Sequence, residues 1–204
     1  MSAVKDASGH FLPGHEHAHY LPTSEGDDRR RLTHLTVWAP RGFDDDETAA
    51  LAGLRRWAVG DLRPQAQLVG LGRPADFRAP PFGGPAGASA VWASATPYVG
   101  PAHVGRRGRE RSLRKAIRRE LRRWALGRGA DVEVAAVEAI DDGHPAWSGR
   151  PRPLEFVRGR RRPGDDGYRR PTGTFRLTLS SPMAGPLCLG YASHYGLGLF
   201  LPSG

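Results

Sequence analysis

The chain has 204 residues, 39 % hydrophobic content and thirty basic against twenty-one acidic side chains, enough for one ordinary core or two small ones and too apolar for a wholly disordered chain. Its twenty-seven Gly and eighteen Pro exclude a long coiled coil and predict many loops and short elements. A single cysteine, Cys188, excludes an intramolecular disulfide framework; with a leading segment that lacks the apolar core of a signal peptide and no run of about eighteen apolar residues, it predicts a cytoplasmic protein without a membrane span.

From Val4 to Tyr20 the sequence is polar and His-rich, and HEHAHYLP alternates like a short strand closed by Pro22. TSEGDDRRR reads as a loop, and His34 to Ala39, HLTVWA, as a strand. The turn PRGF leads to DDDETAALAGLRRWAVG, a helix that Asp44 caps with Glu47 three positions on, with Ala50, Leu51, Leu54, Trp57 and Ala58 as its apolar face. Gln65 to Leu71 is predicted as a strand, RPADFRAPPFGGPAGAS as a loop, and Ala90 to Ala95 as a further strand that Pro97 and Pro101 bring to an end. The clearest element is a helix capped by Ser112, LRKAIRRELRRWAL, ended by Gly127, in which Leu113, Ala116, Ile117, Leu121, Trp124 and Ala125 recur at helical spacing. Asp131 to Ile140 alternates like a strand.

Strand, helix, strand, strand, helix, strand is the order of a ferredoxin-like βαββαβ unit, so the predicted fold class is α+β with an antiparallel sheet. No linker separates independent domains. The single domain 1–204 divides into a core of about 14–140, a basic connection 141–173 and a segment 174–202. In that last part the strand TFRLTLSS and the text GPLCLGYASHYGLGLFLP extend the sheet by a C-terminal β-hairpin carrying a glycine-rich loop.

The net charge of +9 points to a polyanionic partner. Arg usage alone decides nothing, because codon bias in a GC-rich genome also yields Ala, Gly, Pro and Arg. Location is more informative: eleven basic and two acidic residues lie between Arg106 and Arg128, mostly on the solvent side of the second helix. Such a face binds phosphates without reading bases; the bland alternative is a solvated helix surface. A second cluster, Arg158 to Arg162 with Arg169 and Arg170, favours nucleic acid. His15, His17 and His19 stand two apart, so on an extended strand they project from one face. They suit acid–base catalysis near neutral pH, zinc binding, or nothing beyond a polar tail. Gly185, Gly190, Gly196 and Gly198 surround Tyr191, His194 and Tyr195. That text fits a loop whose backbone can approach a phosphate, though it is neither a Walker loop nor a dinucleotide fingerprint.

The ending GPLCLGYASHYGLGLF resembles the glycine-rich loop near the C terminus of the RAMP superfamily of CRISPR-associated RNA-binding proteins: Leu189-Gly190, a five-residue spacer, then Gly196-Leu197-Gly198-Leu199-Phe200. Upstream, GHEHAHYLP, HLTVWAPRGF and SATPYVGP resemble the repeat-processing, Cas-six-like half of the fused Cas-five/Cas-six subunit of type I-U (I-G) systems. The resemblance runs from about Gly14 to Pro202 and lacks the preceding Cas-five-like half. It implies an RRM-like endoribonuclease that cuts precursor CRISPR RNA within its repeats, with no metal or cofactor, leaving 2′,3′-cyclic phosphate and 5′-hydroxyl ends.

The implied catalytic residues are His15 or His17 as general base, His19 in reserve and Tyr20 to orient or protonate. The implied RNA contacts are Arg114, Arg118 and Arg122 along the helix and Gly190, His194, Tyr195, Gly196 and Gly198 in the loop. Implied partners are precursor CRISPR RNA and other subunits of a type I interference complex, including a Cas-five-like protein. The rival from another class is a non-catalytic RAMP scaffold that holds crRNA in that complex.

Overall fold

The computed structural model describes residues 18–24, 28–56, 58, 61, 63–77, 84–100, 108–141, 143–156 and 170–203. The protein is α+β, with antiparallel sheets and two α-helices among these residues. His15, His17 and the Arg158–Arg162 cluster lie outside them.

The main sheet is organised by one long strand, β6 (Thr172–Ala184), whose alternating Phe175, Leu177 and Leu179 are buried. β3 (Ala88–Ser94) and β5 (Val134–Ile140) flank it: Thr178 is opposite Val91 on one edge and Ala136 on the other. Both neighbours are antiparallel to β6, so β3 and β5 run parallel to each other, and the chain between them forms α2 (Arg109–Leu126). The short β4 (Tyr98–Val99) pairs with Gly173 and Thr172 at the start of β6. Beyond β3 come β8 (Leu199–Pro202) and then β7 (Leu187–Cys188), with Leu187 opposite Phe200 and Cys188 opposite Leu199.

α2 is long because its sequence is strongly amphipathic: Leu113, Ile117, Leu121 and Ala125 are buried against Trp92, Tyr98, Val137, Phe175 and Leu177, while its Arg residues stay outside. Gly127 caps its end as expected, but the helix starts a turn before Ser112, with Gly108 at the N-cap at φ +78° and Glu110 in the positive first turn.

Three expectations are corrected. His34 to Ala39 does form a strand, β2 (His34–Trp38), but it pairs with β1 (His19–Thr23) in a separate two-stranded sheet and not with the main one. Gln65–Leu71 is not a strand; Gln65 makes an isolated bridge to Arg56, and Leu68, Val69 and Leu71 are exposed, with no strand ladder among the described residues running along them. α1 (Asp45–Gly53) stops before Leu54 and buries no residue; of the apolar face read from its spacing, Leu51 and Leu54 are only partly covered and Ala50 is exposed.

What holds α1 is its cap. The Asp44 carboxylate accepts from Glu47 N–H at 2.7 Å, and the Glu47 side chain accepts from Asp44 N–H at 3.2 Å. Asp44→Ala is therefore expected to cost α1 about 1 kcal/mol, visible as faster amide exchange confined to 45–53, with the global unfolding midpoint unchanged. Among the described residues no helix is long and apolar enough to cross a membrane.

Candidate functional site

The chain from Leu189 to Gly198, between β7 and β8, is the glycine-rich loop. Two of its glycines explain its shape. Gly190 sits at φ +90°, and a Cβ there would come 2.7 Å from the Tyr98 ring. Gly198 sits at φ +62°, and a Cβ there would run into the Leu189 carbonyl, across the narrow neck where Leu189 N–H donates to Gly198 O at 2.9 Å. The loop is bound to β4 and the segment before it: Gly198 N–H donates to Pro97 O and Tyr191 N–H to Val99 O, both at 2.9 Å. The buried Thr96 hydroxyl donates to Gly196 O at 2.6 Å and accepts from Leu199 N–H at 3.0 Å.

At the tip, a single 3₁₀ turn, Ser193–Tyr195, carries His194 half-buried and Tyr195 65 % exposed. Ala192, immediately before it, has φ +62° without being glycine, a strained conformation that the surrounding hydrogen bonds hold in place.

β1 lies against this loop. Leu21 is wholly buried with Ala95, Cys188 and Leu199, which docks β1 on the β7–β8 end of the main sheet. A Cβ on Gly196 would meet the Pro22 ring, so glycine is needed for this approach as well. Strand parity then turns His19 the same way as Leu21, and its ring packs on that of His194, with centroids 4.3 Å apart and planes tilted by 40°. The amino-terminal histidine and the carboxyl-terminal loop therefore meet.

Behind His19 stands Trp38, its cross-strand partner, with ring centroids 5.1 Å apart. The Arg128 guanidinium lies 4.4 Å from the Trp38 ring and 3.5 Å from that of Trp124. A column of planar groups, His194, His19, Trp38, Arg128 and Trp124, thus runs from the loop tip to the end of α2. Cation–π contact of this kind stabilises a desolvated pair by about 2 kcal/mol. Burial holds Arg128 down at about 10, with the nearby Cys188 opposing that shift, and pushes the Cys188 thiol up.

The cationic face of α2 is the second part of the site. Lys115, Arg118, Arg119, Arg122 and Arg123 line one surface groove with Leu126. Of the three arginines singled out from sequence, Arg122 belongs to this groove, and Arg118 shares it while donating to Val134 O at 2.5 Å, which also ties α2 to β5. Arg114 pairs with Glu110 one turn earlier and is not part of the groove lining. The basic connection also reaches the loop, since the Arg170 guanidinium lies 4.3 Å from the Tyr191 ring.

Groove and loop are linked by a carboxylate. Glu120, half-buried between Arg119 and Arg123, accepts the Tyr98 hydroxyl at 2.9 Å and the Gly190 N–H. Burial raises its pKa against these two hydrogen bonds and the two arginines, and raises that of Tyr98 further.

Of the expected catalytic residues, His19 and Tyr20 lie on β1 beside the loop, and His15 and His17 fall outside the described residues. Tyr20 O faces Gly196, so its backbone forms part of the contact with the loop. His34 is opposite Thr23 at the far end of the hairpin from His19. Among the described residues no group of three His, Cys, Asp or Glu gathers in a geometry for a metal ion. Sequence reasoning missed Trp38, Arg128, Tyr98 and Glu120. Trp38 and Arg128 carried a weak signal, as a strand aromatic beside a predicted turn and the one arginine past the helix-ending Gly127.

No protein-family model matches the chain, and neither a curated protein nor a solved structure does.

Proposed function

We propose that the protein is an RNA-binding endoribonuclease of the RAMP type, which cuts precursor CRISPR RNA within its repeats by attack of a ribose 2′-hydroxyl on the adjacent phosphorus. The observation that carries this reading is the 4.3 Å contact of the His19 and His194 rings at the tip of the glycine-rich loop. The order β8–β3–β6–β5, with α2 joining the two strands on either side of β6, supports a ferredoxin-like unit in which β8 takes the fourth strand's place. It begins at β3, the strand that the sequence pattern made the third of the unit. The β7–β8 pair would be the hairpin that presents the loop.

In this mechanism a base removes the 2′-hydroxyl proton, the new 2′-oxygen–phosphorus bond forms as the 5′-oxygen bond breaks, and the departing 5′-oxygen takes up a proton. His194, half-buried beside the exposed Tyr195, would be the imidazole for one of these transfers; His19, 4 % exposed behind it, packs on its ring and would fix its orientation. Arg and Lys of the α2 groove would follow the RNA backbone, and Tyr195 would stack on an unpaired base. Precursor CRISPR RNA would be the substrate and a Cas-five-like subunit a partner, in the cytoplasm.

Purified protein incubated in EDTA with repeat RNA is expected to give discrete fragments ending in 2′,3′-cyclic phosphate; intact RNA would leave binding alone. The burial of His19 favours that second reading, a scaffold in which the imidazole pair is purely structural. Both readings require the groove. Lys115→Ala with Arg122→Ala is expected to lower the slope of log affinity against log salt by about 1.5, the share of two phosphate contacts, measured by fluorescence anisotropy. An unchanged slope removes α2 from the RNA path.

A further inference from the structure

The single carboxylate at the edge of the cationic groove, between its arginines and the core, is the feature that RNA binding alone leaves unexplained. Glu120 is flanked by Arg119 and Arg123, where a negative charge repels phosphate and weakens the face it belongs to. Its surroundings suggest another role. Its Oε1 accepts from the wholly buried Tyr98, whose ring sits edge-on to Phe175 at 6.2 Å, so one end of the contact is fixed in the core. Its other accepted bond comes from Gly190 N–H, the first glycine of the loop. Gly190 lies against the same Tyr98 ring, its carbonyl accepts from Ser193 N–H at 3.4 Å, and Ser193 opens the turn that carries His194.

We infer that Glu120 is a positioning residue, a strut from α2 and Tyr98 to Gly190 that sets where the His194 turn stands relative to the phosphate-binding groove. The inference rests on the proposed RNA-processing role, and it makes one helix responsible for both holding the backbone and aiming the loop. The carboxylate suits the position because its two oxygens can accept from a hydroxyl and an amide at once; a glutamine at 120 could still serve both, its oxygen accepting from Gly190 and its NH2 donating to a reversed Tyr98 hydroxyl, so only a side chain without polar atoms removes the strut. The charge is tolerated because Arg119 and Arg123 flank it.

Glu120→Leu, which keeps most of the side chain's bulk and removes both accepting oxygens, tests this with three readouts: amide exchange at Gly190 and Ser193–Gly196, affinity for repeat RNA carrying a 2′-deoxyribose at the cut site, and the single-turnover cleavage rate. Exchange at Gly190 is expected to quicken about tenfold, the equivalent of one lost hydrogen bond. Cleavage should slow by about tenfold or more, as for a displaced acid–base group, while affinity stays within about twofold although a repelling charge has gone. Tyr98→Phe, which keeps the ring and removes only the hydroxyl, should move exchange and cleavage the same way by a smaller factor. Unchanged exchange at Gly190 together with tighter RNA binding overturns the inference and leaves Glu120 as a mere brake on affinity. Should the wild-type protein not cut RNA at all, the nuclease reading fails by itself, and the exchange and affinity results still decide for or against the strut.

Discussion

His194→Ala is expected to lower the single-turnover cleavage rate by about 10²–10⁴-fold, the usual range for a lost acid–base group, while repeat RNA binds within a few-fold of wild type. The split between rate and affinity follows from position. The proposed phosphate contacts lie along the α2 groove, whose lining includes no histidine, whereas His194 stands at the loop tip in ring contact with His19. His19→Ala should cost less rate and more stability, because it leaves a gap between Trp38 and His194 at a buried position. Quenched-flow cleavage with 5′-labelled repeat RNA, beside anisotropy with the 2′-deoxy analogue, gives both numbers. If His15→Ala or His17→Ala abolishes cutting and His194→Ala does not, the base lies in the amino-terminal segment and the imidazole pair is structural. Equal losses of binding and cutting in His194→Ala would make it a contact residue.

Gly198→Ala carries the largest expected effect on stability. The residue combines a left-handed φ of +62° with a neck so tight that a methyl group would overlap the Leu189 carbonyl. Backbone strain and overpacking each cost about 1–3 kcal/mol, so a combined loss of roughly 3 kcal/mol is expected, a fall of roughly 6–12 °C in the midpoint for a chain of this size. Gly42→Ala is the internal control, since Gly42 has φ +79° and nothing within 4 Å of a Cβ, which isolates the conformational part. A Gly198→Ala midpoint no lower than that of Gly42→Ala would mean the neck opens freely and the loop is not held as described.

The parts of this structure that were legible in the sequence are those whose cause is local. Asp44 and Glu47 announce a capping box within four residues, and the Leu113, Ile117, Leu121 spacing announces a buried helix face by itself. Glycines at 190, 196 and 198 mark the loop because positive φ is a property of single residues. What failed depended on distant partners. Gln65–Leu71 has the composition of a strand, yet a strand exists only where another supplies its hydrogen bonds. HLTVWA was read correctly as extended but assigned to the wrong sheet, because its partner is the preceding histidine segment. The same limit applies to the site. His19 and His194 could be singled out separately, but their 4.3 Å contact comes from Leu21 docking between Cys188 and Leu199. Glu120 was invisible: one acid in an Arg-rich helix looks like ordinary charge balance until Tyr98 and Gly190 are seen on either side of it.

The position of β6 in the chain sets the order of events during synthesis. β3, α2 and β5 all leave the ribosome before Thr172, yet β3 and β5 meet only through β6, which lies between them. Until that late strand emerges, α2 can close on β5 but β3, with Trp92, has no strand that joins it to them, and the nascent chain has to wait with part of its apolar surface uncovered, a state in which slow long-range pairing invites association with other chains.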